Sequence, residues 1–124
     1  MRAWRIETAD GIDGLKLAEM TLPDPGPGEV RVRLKANSIN YRDLSVISDP
    51  LSRGITLPRI PNSDGAGEVL AVGSGVTDFA PGDRVACAGA GYANHAEWVC
   101  VPENLVARVP DGLPLDKAAF ATLG

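Results

Sequence analysis

Between Glu29 and Ala36 apolar and basic residues alternate without a break: Val30, Val32, Leu34 and Ala36 interleave with Arg31, Arg33 and Lys35. A repeat of two is the side-chain period of an extended strand, with one face toward a core and the other toward water. A helix cannot hold this pattern, because its 3.6-residue turn would mix the two sets on every face. The segment is therefore a strand, and it needs partner strands for its backbone and a core for its valines. The basic row Arg31, Arg33 and Lys35 is read as the solvated face of that strand rather than as an anion site.

The rest of the chain supplies partners of the same kind. Gly occurs 14 times and Pro 10 times in 124 residues while aromatic residues make up only 5%, so short strands joined by tight turns fit better than a helical bundle. Residues 2–7 and 15–20 read as a hairpin around the turn at 10–14, and the prolines and glycines of 23–28 break the ladder before the long strand. Further strands are expected at 67–72, 84–87, 96–101 and 105–108, at the spacing of a β-barrel, with reversals at Gly73 and Gly75 and at Pro81-Gly82-Asp83. Two segments have a helical character. Residues 41–48 place Tyr41, Leu44, Val46 and Ile47 at helical spacing and stop near Asp49-Pro50, and residues 113–124 carry good helix formers with Pro114 in the first turn.

Charge and composition remove several functions. The formal net charge is −4 and the basic residues are scattered, so no cationic face is expected to take nucleic acid. No apolar run approaches the ~18 residues of a membrane span, and the start MRAWRIETAD lacks the apolar core of a signal peptide, so a cytoplasmic location is expected. Cys87 and Cys100 are read as packed thiols, not as a bridge or a nucleophile. With one His and two Cys, His95 being placed on the surface or in a loop, no zinc site is expected. The pairs Gly65/Gly67 and Gly89/Gly91 lack a third glycine, having Leu70 and Asn94 instead, and strand-like sequence follows each. They are read as turn and bulge glycines rather than a dinucleotide-binding loop.

Two blocks, GEVRVRLKANSINYRDL and IPNSDGAGEVLAVGSGVTDFAPGDRVA, resemble the hallmark blocks of the medium-chain dehydrogenase/reductase superfamily. The resemblance runs on through AEWVCVPENLVARVPDGLPLDKAAFATLG, which is similar to the stretch leading into the helix before the nucleotide-binding domain. It implies a mainly β, GroES-like, partly open barrel over residues 1–112, with 113–124 as the start of the linking helix and no Rossmann domain within these residues. Where zinc-dependent members place a metal-binding Cys and a His-Glu pair, this sequence has Asn40, Ser63 and Asp64. It therefore resembles the zinc-independent quinone oxidoreductase branch, and the loop after Cys87 is shorter than the pattern leads one to expect.

What the resemblance implies for function is the substrate side of an NADPH-dependent oxidoreductase that passes hydride to a quinone, enone or carbonyl compound. Asn40, Tyr41 and Arg42 would supply donors to the reacting oxygen, Ser63 and Asp64 would face substrate, and Asn40 and Thr122 would lie at the nicotinamide. Structural roles remain open beside these: Asn40 as a helix cap, Tyr41 as a core aromatic, and Asp43 as a cap or a partner of Arg42. By itself the chain is expected to be inactive. It is also expected to form a homo-oligomer or swapped dimer through an apolar helix face of Leu115, Ala118, Ala119, Phe120 and Leu123. A rival reading from another class is a barrel module without catalysis of its own, acting only as a folding or association unit.

Overall fold

The structure, a computed structural model, describes residues 1–22, 24–88 and 94–120. The strands are β1 (Arg2–Ile6), β2 (Leu15–Glu19), β3 (Glu29–Ser38), β4 (Asp64–Val72), β5 (Arg84–Ala88), β6 (Trp98–Pro102) and β7 (Val106–Arg108), and the α-helices are α1 (Tyr41–Ser48) and α2 (Leu115–Phe120). β1 and β2 form the expected hairpin, and the other strands make one antiparallel sheet in the order β6-β3-β4-β5-β7. Single bridges from Ala3 to Ala96 and from Ile6 to Arg59 tie the hairpin to segments outside the named strands, one just before β6 and one before β4. The fold is the mainly β architecture that the turn-rich sequence requires.

The alternation in β3 does what its period demands. Val30 and Val32 are fully buried and pack in one cluster with Val69, Val85 and Val101 from three other strands of the sheet. A side chain of that size contributes roughly 1.5–3 kcal/mol when fully buried. The opposite face differs from the expectation, because only Arg33 and Lys35 of the basic row are exposed and Arg31 is half-buried. Trp98, which opposes Arg33 in the β3–β6 register, holds the guanidinium groups of Arg31 and Arg33 at 5.6 and 5.8 Å from its ring centre. Two arginines two residues apart on a strand share a face, so one cross-strand tryptophan meets both.

Strand limits shift where backbone packing overrides local signals. β4 begins at Asp64 instead of 67, because its two glycines lie inside the ladder. A Cβ on Gly67 would come within 1.9 Å of the Arg33 carbonyl oxygen, so glycine is what lets β3 and β4 approach there. The bulge reading holds at the same place, since the β3–β4 register slips between Leu34 and Ala36 opposite Gly67 and Ala66. Gly89 and Gly91, and the short loop that contains them, lie outside the described residues.

α2 corrects the expectation of an exposed apolar face. Ala118 and Ala119 are 3% and 0% exposed and pack against Ala66, Ala86 and Val109, with Leu113 and Leu115 half-buried beside them. Their single methyl groups let the helix lie close on β3 and β4. Phe120 stays half exposed, and Leu123 lies outside the described residues.

Candidate functional site

The β3–β4 ladder pairs Ser38 with Asp64, and this register brings two distant stretches of sequence, 38–43 and 62–64, to one end of the sheet. The chain leaves β3 at Ser38 and turns into α1 with Asn40 at the N-cap, its backbone extended at φ −124°. Asp43, in the first turn, reaches back so that its Oδ2 accepts the Asn40 backbone N–H at 2.8 Å, while the Asp43 N–H donates to the Asn40 carbonyl at 2.9 Å. These are the bonds that a helix start needs. Asp43 therefore acts as a cap.

With the turn closed by Asp43, the Asn40 side chain is directed elsewhere. Its Nδ2 donates to Asp64 Oδ2 at 2.5 Å, and Asp64 is fully buried at the first position of β4. Asn40 is thus both the residue at the helix start and a tie between α1 and β4. Tyr41 is 83% exposed, so it is not a core aromatic. Arg42, the next residue, is exposed as well, and it shares the wall of a cavity with buried Ser63. Thr122 lies outside the described residues.

Asn62, which the sequence did not single out, joins these parts. It is 5% exposed and adopts the left-handed conformation at φ 86°. Its Nδ2 donates to the Ser38 carbonyl at 2.7 Å and to Asp43 Oδ2 at 3.1 Å, linking β3, α1 and the start of β4. The available signal was the dipeptide Pro61-Asn62, since Asn is one of the few residues that tolerates positive φ just after a turn. Asn94 was missed too. Its backbone N–H donates to the Asn62 carbonyl at 3.1 Å and its carbonyl accepts from Asn37 Nδ2. Its own amide is fully buried, and neither Nδ2 nor Oδ1 has a partner among the described residues.

His95 is half-buried in a loop, its backbone N–H bonded to the Pro61 carbonyl at 3.1 Å. Burial pushes the imidazole down from its ordinary value, and the nearby Asp43 opposes this with a smaller upward pull. Cys87 is a packed thiol, pushed up to about 12 by burial. Among the described residues no three His, Cys, Asp or Glu side chains converge as metal ligands would. No helix among them is long and apolar enough to cross a membrane.

A mainly β sheet with a helix start, a buried carboxyl and an amide tie at one end is the frame in which a family assignment can be made. The chain belongs to the alcohol dehydrogenase GroES-like domain family, which matches residues 26–111. It is 39% identical over 123 residues to a quinone oxidoreductase of Pseudomonas aeruginosa, covering 98% of this chain and 38% of that protein. It is also 34% identical over 119 residues to a mouse protein named synaptic vesicle membrane protein VAT-1 homolog-like, covering 96% of this chain and 28% of the relative. Among solved structures, the Escherichia coli quinone oxidoreductase complexed with NADPH superposes with a TM-score of 0.92 at 28% identity, over 99% of this chain and 37% of that one. The resemblance to the quinone oxidoreductase and alcohol dehydrogenase-like members is confirmed. The chain spans well under half the length of these relatives.

Proposed function

We propose that this chain forms the substrate side of an NADPH-dependent oxidoreductase acting on a small quinone, enone or carbonyl compound, with Asn40, Tyr41 and Arg42 at the reacting centre. The observation that carries this reading is the 2.5 Å bond from Asn40 to buried Asp64. It holds the start of α1 rigidly against the sheet while leaving Tyr41 and Arg42 open to a ligand. When bound, the nicotinamide cofactor supplies the hydride. The described residues suit only the nicotinamide end of such a cofactor, since their one glycine turn that leads into an α-helix, at Gly112, meets α2, which is six residues long and packed on the sheet.

The chain's own residues answer the charge that the reaction creates. As hydride adds to carbon, an electron pair moves onto the substrate oxygen, which then needs donors positioned beforehand. The exposed Tyr41 hydroxyl gives its proton to that oxygen and regains one from solvent, and Arg42 stabilises the negative charge. Asp64, too deep to touch substrate, positions Asn40, which orients the ligand; Ser63 faces substrate from the cavity wall. Thr122 is proposed to lie beside the cofactor. The reading also carries a cytoplasmic homo-oligomer, which fractionation and sedimentation of the whole protein test.

The test of the site is kinetic. In this domain joined to a family nucleotide-binding domain, Tyr41→Phe should lower kcat by about 100-fold, the usual loss for one transition-state donor of about 3 kcal/mol, with little change in KM. Asn40→Ala should lower kcat and raise KM together, because it loosens the helix start as well. Unchanged turnover in both variants would remove these residues from the mechanism.

A further inference from the structure

The cavity beside this site has an unusual wall. It holds about 180 Å³ and is lined by Arg42, Arg53 and Arg59 together with Asp43, Asn62 and Ser63. Three arginines and one acidic residue, Asp43, thus line one concavity in a chain whose net charge is −4, and Arg53 also acts on Asp49 at the end of α1. An anion entering the recess finds planar donors suited to paired oxygens.

Size and lining narrow the choice. The recess measures about 180 Å³, a size that suits a charged head and a few carbons. Val46, Ile55, Ile60 and Pro61 complete the wall and give those carbons an apolar surface. Asp43 both lines the cavity and accepts the Asn40 N–H, so a head group seated there lies one side chain from the proposed reacting centre.

We propose that this cavity is the seat for an anionic group, a carboxylate or a phosphate, on a small carbonyl substrate, with Arg42 and Arg53 as the residues that select it. The carbonyl part of this statement rests on the function proposed above, and the anion seat does not. It can therefore be tested without cofactor or turnover.

Amide spectra of the 15N-labelled chain are recorded at constant ionic strength during titration with levulinate, with its methyl ester, and with inorganic phosphate. Levulinate or phosphate should shift the amides of 42, 53 and 59–63 saturably at millimolar concentration, and the ester should not. Whichever anion binds identifies the head group. Arg42→Gln and Arg53→Gln should each weaken binding about three- to fivefold, the scale of one solvent-screened charge contact. Both side chains are exposed, so the rest of the spectrum should stay in place. Lys35→Gln, an exposed cation outside the cavity wall, should bind as the unaltered chain does, and because no turnover is read, failure of this seat is separate from failure of the catalytic reading. Absence of saturable shifts with either anion, equal shifts with the ester, or unaltered affinity in both arginine variants would overturn the proposal.

Discussion

Asn62 shows how much one side chain can hold. Its amide Nδ2 donates to two acceptors, the Ser38 carbonyl and Asp43 Oδ2, and its backbone sits at φ 86°, where a residue with an ordinary Cβ is strained. Asn62→Ala removes both bonds and keeps the strain, so a loss of about 2–4 kcal/mol in urea unfolding is expected. Asn62→Gly removes the same bonds but relaxes the backbone, and should lose about 1 kcal/mol less than Ala. Equal losses in the two variants would rule out strain as a contributor, and a neutral Ala variant would mean that the network does not hold the site together. The sequence made Asn40, Ser63 and Asp64 legible because they stand at motif positions that are read by type. It left Asn62 hidden, because the sign of φ is set by how the chain must turn from Pro61 into β4. For Tyr41 it could not choose between core and surface, since an aromatic at a helix start suits either until the packing is known.

At the level of elements, the pattern in β3 was legible because burial enforces its period, and its partners followed from turn chemistry. The start of β4 was not. Gly65 and Gly67 carry no hydrophobic signal, and their place in a ladder depends on how close β3 comes, which local sequence does not encode. Closeness gives a direct test. Gly67→Ala puts a methyl group against backbone at Arg33, which cannot swing aside as a side chain would, so the domain should lose about 3 kcal/mol or more, or fail to fold. Gly75, at φ +82° with open space within 4 Å of where a Cβ would stand, is the internal control, and Gly75→Ala should cost only about 1 kcal/mol. Thermal unfolding of the two variants side by side reads the difference. If Gly67→Ala unfolds at the same temperature as Gly75→Ala, the β3–β4 approach is looser than the structure describes. The basic row on the same strand teaches a related point: Arg31 and Arg33 become an aromatic-stacked pair only because Trp98 arrives opposite them from a strand far along the chain.

For the molecule as a whole, the question is whether these 124 residues hold NADPH by themselves. Tight binding of a dinucleotide depends on its pyrophosphate, which is usually met by a glycine turn opening into a helix N-terminus. Neither described helix offers one. α1 has its first turn engaged by Asn40 and Asp43, and α2 is only six residues long with Pro114 before it. The turn at Gly73 and Gly75 leads into a loop and then β5. On the function proposed above, what remains for the cofactor is Tyr41 and Asn40 at the nicotinamide end, and the arginine-lined cavity, which could take one phosphate. One or two exposed charge contacts, worth about 1 kcal/mol each at most, do little against the several kcal/mol lost when a flexible ligand is immobilised. The dissociation constant of NADPH for this chain should therefore be millimolar, about −4 kcal/mol, and should weaken as salt is added. A fluorescence titration at two ionic strengths measures it. Arg42→Gln should weaken whatever binding is seen, because the cavity is the described feature best suited to a phosphate. Low-micromolar, salt-independent binding would mean that residues of this chain build a nucleotide site of their own, and the division of labour inferred from its half-cleft would fail.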